Sequence, residues 1–463
     1  MSKNHRITKT GRGARQRAVI EGSLQLLRQH AAGIDVGSEE HYVSVPPDRD
    51  PEPVRHFGCY TSDLHRMAEW LKSCRIETVA MEATGVYWVP VFEILEEYGF
   101  EVYLVDARQT KNVSGRKTDV VDCQWIRQLH SYGLLTAAFR PEQEIAAMRA
   151  YWRHRQGLVE SCSRQIHLMQ KALEQMNVQL HKAVSDVAGM TGMSIIRRIV
   201  AGERDPVALA KLRQKGVKRS EAEIAEALNG NYRGEHVFAL AQALESYDFF
   251  QGQMERCDRQ IQQCMAGIAS KTSPTESEQV LRRRWKNQPH FDLRAELHRI
   301  CGVDLTRIES IDAVTAQTVI SECGTDMARF PNDKHFASWL CVCPNNKKTG
   351  GRIRSTRTRG HRRNRAADAL RRAAQSLHHS KSALGAEYRR KRARLGAPKA
   401  ITAMAHKLAR LIYRLLKYGE AYVSEGLEQY EARHRERALR GLRHQAQNLG
   451  YLLVVQATGE VVS

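Results

Sequence analysis

The chain has 463 residues, 42% of them hydrophobic and 27% charged, with a formal net charge of +21. That length predicts two to four domains with real cores, and the lack of any run of about eighteen apolar residues excludes a helical membrane span. A positive surplus of this size carries self-repulsion and calls for an anionic partner, nucleic acid ahead of an acidic membrane surface.

Residues 1–30 are basic and nearly free of acid, with Lys3, Arg6, Lys9, Arg12, Arg15 and Arg17. They read as an arm that touches nucleic acid, with a transit peptide as the alternative. From 31 to 140 the period changes several times. "AAGIDVG", "HYVSV" and "VRHFGCY" read as three closely spaced strands, the signature of a meander. Leu64, Met67, Ala68 and Leu71 then recur at helical spacing, with Thr61 or Ser62 as the expected cap. "IETVAME" is the fourth strand, "VPVFEILEEYG" a helix closed by Gly99, "FEVYLVD" the fifth strand, and "TDVVDCQWIRQLHSYG" a third helix. A meander followed by alternating helices and strands is the chain order of an RNase H-like (RuvC-like) α/β fold. A doubly wound sheet does not begin that way.

Residues 141–295 hold two long charged helical stretches flanking a small insertion, which predicts a helical hairpin or coiled coil. Residues 296–420 read as a mainly α C-terminal domain. In it "IESIDAVTAQTVISECG" predicts two short helices in a helix-hairpin-helix-like turn, with Ser310, Asp312 and Ala313 where glycine is expected. A Gly-containing basic loop and a basic helix follow. Residues 421–463 form a tail, a charged helix with a possible hairpin "YLLVVQATGEVVS". The ten cysteines form no CxxC pair, and Cys341 and Cys343 stand too close together for a zinc knuckle. They read as reduced thiols of a cytoplasmic protein.

Four acids stand out. Asp35 interrupts the apolar first strand, where an unanswered carboxylate is costly. Glu82 ends the fourth strand. Asp119 and Asp122, three apart, share one face at the start of the third helix. In the expected fold these strands are neighbours and the helix crosses them, so all four carboxylates converge. Converging carboxylates need a cation, and hard oxygen ligands select Mg²⁺ or Mn²⁺. Two such ions clamp a phosphodiester when about 4 Å apart. Taken singly, each acid has a plainer reading as a solvated or strand-end residue. Asp106 is read as structural.

After Gly350 and Gly351, Arg352, Arg354, Arg357 and Arg359 are spaced by one or two residues, mostly hydroxyl-bearing, and Arg362, Arg363, Arg365, Arg371 and Arg372 continue onto a helix. Alternation puts guanidiniums on one side, suited to phosphate oxygens. The glycines allow close backbone approach.

At "GIDVG", "AMEATGVYW", "LVDARQTKNVSGRKTDVVDCQWIRQL" and "TGGRIRSTRTRGHRRNRAADALRRAA" the chain resembles the insertion-sequence transposases of the "one-ten" group. These are bridge-RNA-guided DEDD recombinases related to Piv-type DNA invertases. The resemblance spans most of residues 31–420. It implies that Asp35, Glu82, Asp119 and Asp122 are a metal-binding catalytic tetrad. It also implies a C-terminal serine nucleophile before a Gly pair. Here that position is Thr349, a departure: threonine keeps a hydroxyl but adds a methyl that restricts χ1. Ser355 is the alternative nucleophile. A guide RNA is implied by the resemblance alone, with pairing reading the sequence and protein the shape.

The expectation is therefore a transposase or site-specific DNA recombinase working by phosphoryl transfer. Its partners would be element-end and target DNA, a non-coding RNA and further copies of itself in a dimer or tetramer, without a membrane, in the cytoplasm at the nucleoid. Two alternatives stay open. One is a RuvC-like metal-dependent junction resolvase. The other is a catalytically weakened copy that only binds nucleic acid.

Overall fold

The computed structural model describes residues 25–83, 85–110, 119–272, 287–355, 358, 364–454 and 459. Residues 1–24 of the basic arm, including Lys3, Arg6, Lys9, Arg12, Arg15 and Arg17, lie outside the described residues. So do Lys117 and Thr118 of the "KTDVVD" box and most of the expected tail hairpin. The chain divides after Arg140 into two compact units.

The first unit is built on a mixed sheet of order β3-β2-β1-β4-β5. Its strands are β1 (Ala31–Val36), β2 (Glu40–Ser44), β3 (Val54–Gly58), β4 (Thr78–Glu82) and β5 (Glu101–Val105). β1, β2 and β3 pair antiparallel, as a meander must. β4 and β5 add in parallel through helical crossovers. Helices α1 (Thr61–Ser73) and α2 (Trp88–Glu97) cover one face. There Ile34, Val36, Met67, Leu71, Val79, Met81, Val91 and Leu95 form the main core. Helix α3 (Asp119–Ser131) covers the other face, over a smaller cluster of Ala80, Val105, Ile126, Leu129 and Leu135. This architecture is compatible with an RNase H-like α/β domain. One detail differs from expectation. The N-cap of α1 is Tyr60, which makes no side-chain cap bond, so Thr61 and Ser62 lie inside the helix. At the end of α2, Gly99 takes φ +74, and Phe100 N–H reaches back to the Leu95 carbonyl, a left-handed closure that glycine makes without Cβ strain.

The second unit is mostly helical. Helices α4 (Gln143–Gln175) and α7 (Gly234–Gly267) run along each other, and α4 passes Gly157 unbroken. Between them α5 (Met190–Val200) and α6 (Glu221–Ala227) complete a core of Met169, Leu173, Ile195, Ile196, Leu209, Ile224 and Leu240. Farther along come α8 (Leu293–Cys301), α9 (Ala313–Cys323) and α10 (Asp333–Trp339). They are followed by α11 (Arg365–Ser376), α12 (Ala383–Leu395), α13 (Ala397–Tyr418) and α14 (Glu420–Asn448). Trp152 Nε1 donates to Thr318 Oγ1 at 3.0 Å and Arg153 forks onto Glu322 at 2.9 and 2.6 Å, tying α4 to α9. The segment expected as two short helices holds one, α9. Asp312 caps it by accepting from Thr315 N–H, and nothing between 313 and 323 breaks it. Ser310, standing where glycine is expected, does take the left-handed backbone, φ +72.

Candidate functional site

Strand alternation and one close contact build the acid cluster. Ile34 and Val36 face α1 and α2, so Gly33 and Asp35 face α3. At Gly33 the helix comes down onto the strand: a Cβ there would lie 2.3 Å from Arg127 N and 2.5 Å from the Cys123 carbonyl. Only a residue without a side chain permits that approach. One turn back along α3 the same approach carries Asp119 and Asp122 over Asp35. One ligand oxygen from each of Asp35, Asp119 and Asp122 lies within 4.8 Å of the others. It is the one group of three or more possible metal ligands found among the described residues.

Glu82 belongs to the same face, because Ala80, two residues earlier, packs in the cluster under α3. Parallel pairing of Ile34 with Met81 continues to place Glu82 beside Asp35. Its carboxylate is nonetheless not part of the three-acid group. Thr110 Oγ1 lies 2.8 Å from Glu82 Oε2 and 3.0 Å from the Ala107 carbonyl, sharing one proton between them. Trp125 of α3 holds the Thr110 carbonyl from Nε1 at 3.1 Å. Three of the four expected acids are thus gathered and the fourth is beside them, engaged by a hydroxyl that sequence reading did not single out. Asp106 accepts the Arg108 N–H at 3.1 Å and closes a single helical turn, a local structural task.

The surroundings respond to the acids. Burial, and then the Asp35 carboxylate, push the Cys123 thiol up to about 12, so it stays protonated. Tyr42, paired across from Asp35, has its phenol raised by its hydrogen bond to Glu40, with Asp119 contributing at longer range. Hard carboxylate oxygens at this spacing fit a divalent ion and would suit a soft one poorly.

In the second unit the basic loop is a β-hairpin, β6 (Lys347–Thr349) and β7 (Arg352–Ser355), where an extended loop was expected. Its two-residue turn is Gly350–Gly351, with φ +56 and +74, the double left-handed turn that matches strand twist. Thr349 pairs with Arg352 across the turn, so these two share one face; a bulge in β7 then lets Lys347 pair with Ser355, which returns Ser355 to the face of Thr349. Thr349, Arg352 and Arg354 are exposed. Arg365 opens α11 and donates to Gln156 Oε1 at 2.9 Å. Arg371 pairs with Asp368 at 2.7 Å. Arg357, Arg359, Arg362 and Arg363 lie outside the described residues.

Sequence reading missed a buried cluster between α4 and α7. Asp258 is 1% exposed and accepts from Arg155 Nε and, at 3.3 Å, Arg155 Nη2. It also accepts the His290 backbone N–H at 3.0 Å and lies 2.8 Å from His290 Nδ1. Arg155 and Asp258 stand 103 residues apart, so no local pattern announces them. All ten cysteines are free, and among the described residues no helix is long and apolar enough to cross a membrane.

Comparison with known proteins agrees with this layout. Residues 32–178 match the model of the DEDD transposase domain of IS110 elements. Residues 303–389 match the transposase model of the IS116/IS110/IS902 family. A search of curated proteins finds no match. The first match contains the acid cluster, the second contains the Thr349 hairpin, and together they span about half of the chain. The chain belongs to the IS110 family of transposases.

Proposed function

We propose that this protein is the site-specific recombinase of a mobile insertion sequence, cutting and rejoining DNA by transesterification. The observation that carries the reading is the gathering of Asp35, Asp119 and Asp122 within 4.8 Å, in a family whose members act as transposases. These three acids, with Glu82, would hold Mg²⁺ or Mn²⁺. A bound ion supplies charge neutralisation and polarises a phosphate oxygen. The chain's residues do the rest. Gly33 lets α3 hold its two aspartates over β1, and Thr110 fixes the Glu82 carboxylate.

Thr349 is the nucleophile in this reading. Attack forms a bond from its Oγ1 to phosphorus and breaks a strand P–O bond. The released strand hydroxyl takes up the proton the threonine gives up, so the step is reversible and rejoining needs no outside energy source. Arg352 and Arg354, both exposed on β7, would bind phosphate oxygens, with Arg357, Arg359, Arg362, Arg363 and Arg365 extending the track. Thr349 is preferred over Ser355 because it stands directly before the Gly350–Gly351 turn, the position that the resemblance gives to the nucleophile, and is exposed where Ser355 is half-buried. Residues 31–140 would carry the metal centre, 141–295 a helical spacer, 296–420 the nucleophile domain and 421–463 a tail. Four DNA ends call for a dimer or tetramer, and the surplus of +21 is compatible with the guide RNA that the resemblance implies alongside the DNA.

The test is a trapping assay on the purified chain with DNA from the ends of its element, RNA transcribed from the flanking sequence, and Mg²⁺. The expected result is a denaturant-stable protein–DNA adduct, absent from Thr349→Ala and Asp119→Ala and stronger in Thr349→Ser. Cleavage with no adduct would overturn the covalent step and leave a metal-dependent nuclease of the resolvase kind.

A further inference from the structure

We propose that Val86 and Tyr87, with Val120 and Val121, form an apolar rim that seats one unstacked nucleobase of the DNA beside the acid cluster. The proposal rests on the reading just given, that the cluster holds a reacting phosphate. Val86 is 73% exposed, Tyr87 45%, Val120 40% and Val121 42%. They belong to the two segments that deliver the acids: residues 86 and 87 follow Glu82 out of β4, and residues 120 and 121 lie between Asp119 and Asp122. Each of the four is a large apolar side chain left open to solvent on a segment that carries an acid, the kind of exposure that marks an interaction site.

The tyrosine is held in place before anything binds. Gly85 takes φ +54, and a Cβ on it would lie 3.3 Å from the Tyr87 ring, so the ring folds over that glycine. Val89 N–H donates to the Val86 carbonyl at 3.2 Å, closing the turn that carries both residues. The next aromatic, Trp88, goes the other way. It packs against the core and meets Phe92 edge-on at 5.9 Å between centroids. The local sequence thus uses one ring for packing and presents the other.

The chemistry selects the occupant. A phosphate is anionic, and a rim of valines and a phenol beside three carboxylates offers it nothing. The flat face of a base is uncharged and stacks on an aromatic ring whatever its sequence. A base can reach such a seat only after leaving its neighbours, as it must when a strand is cut and passed to a new partner. Apolar wedges at protein–DNA contacts work in this way.

The test uses the full chain, Ca²⁺ and a forked DNA whose single-stranded arm carries 5-iododeoxyuridine. Irradiation followed by peptide mapping should place the cross-link on Tyr87. Tyr87→Leu should lose it and bind the fork about ten-fold more weakly, with blunt-duplex binding unchanged. Tyr87→Phe should keep both. Cross-links that map away from residues 85–88, with fork affinity unchanged in Tyr87→Leu, would overturn the proposal. So would a drop in solution mass in Tyr87→Leu by light scattering, since the rim would then join two copies of the chain. Asp119→Ala separates the two readings, because it should lose strand cleavage and keep the Tyr87 cross-link. Undiminished cleavage in Asp119→Ala would overturn the metal reading and remove the reacting phosphate from beside the rim, whatever cross-links to Tyr87.

Discussion

Two groups of carboxylates in this molecule are handled in opposite ways. Asp258 is nearly sealed from solvent, and the chain answers its charge locally with the Arg155 guanidinium and two hydrogen-bond partners from His290. Asp35, Asp119 and Asp122 are brought together with one another, half-buried or exposed, by a helix that presses onto a glycine. A sealed carboxylate matched by a guanidinium serves the fold. Three carboxylates brought within 4.8 Å of one another repel, and that closeness works against the fold.

That contrast can be broken at several points. The largest effect is expected from Arg155→Met, which strands a buried carboxylate and should cost about 3–5 kcal/mol in denaturant melts. Cleavage per folded molecule should be unchanged. Asp119→Ala should do the reverse, lowering metal-dependent cleavage at least about a hundred-fold. Its melting temperature in chelator should equal or exceed that of the parent, because repulsion is relieved. A fall in stability comparable to that of Arg155→Met would erase the distinction.

His130, at the far end of α3, sharpens it with a base. The ring is fully buried and hydrogen-bonded with Thr78 Oγ1 at 2.9 Å. Burial, with Arg28 adding to it, lowers its imidazole to about 4 from 6.5. Between those values the unfolded chain binds the extra proton, so stability rises with pH there. The contribution is whole above about pH 6.5 and fades as pH falls toward 4, by up to about 3 kcal/mol. Urea melts across that window should slope more steeply for the parent than for His130→Gln, and parallel slopes would count against the assignment.

The smallest effects compare two glycines. Gly33→Ala meets backbone at 2.3 Å and should cost about 1–3 kcal/mol while loosening Mn²⁺ binding. Gly350→Ala meets nothing within 4 Å but holds its alanine at φ +56, which should cost about 1 kcal/mol and leave Mn²⁺ binding unchanged. Unchanged Mn²⁺ binding in Gly33→Ala would mean that α3 does not depend on Gly33 to reach the strand.

Much of the first unit was legible in the sequence, for physical reasons. Short spacings force a meander, and the change from a two-residue to a helical period marks each crossover. Asp35, Asp119 and Asp122 could be found because strand and helix periodicity fix faces. Glu82 was placed on the right face, but its hold by Thr110 depends on a turn that leaves no periodic trace. The Thr349 hairpin was read as a loop because three- and four-residue strands are too short to alternate visibly. The partnership of Arg155 with Asp258 was invisible: each sits on a helix crowded with charges, and only packing decides which become buried.

That partnership also bears on alignment. Two helices of 33 and 34 residues packed along an apolar seam can slide by a turn at modest loss, since one leucine replaces another. A desolvated guanidinium–carboxylate pair cannot slide, because a slip of one turn, about 5.4 Å, would leave both charges buried and unmatched. The pair therefore keys α4 and α7 into a single register. It sets where along α4 the Trp152 and Arg153 anchors to α9 fall, and so how the helical arm is spliced to the rest of its unit.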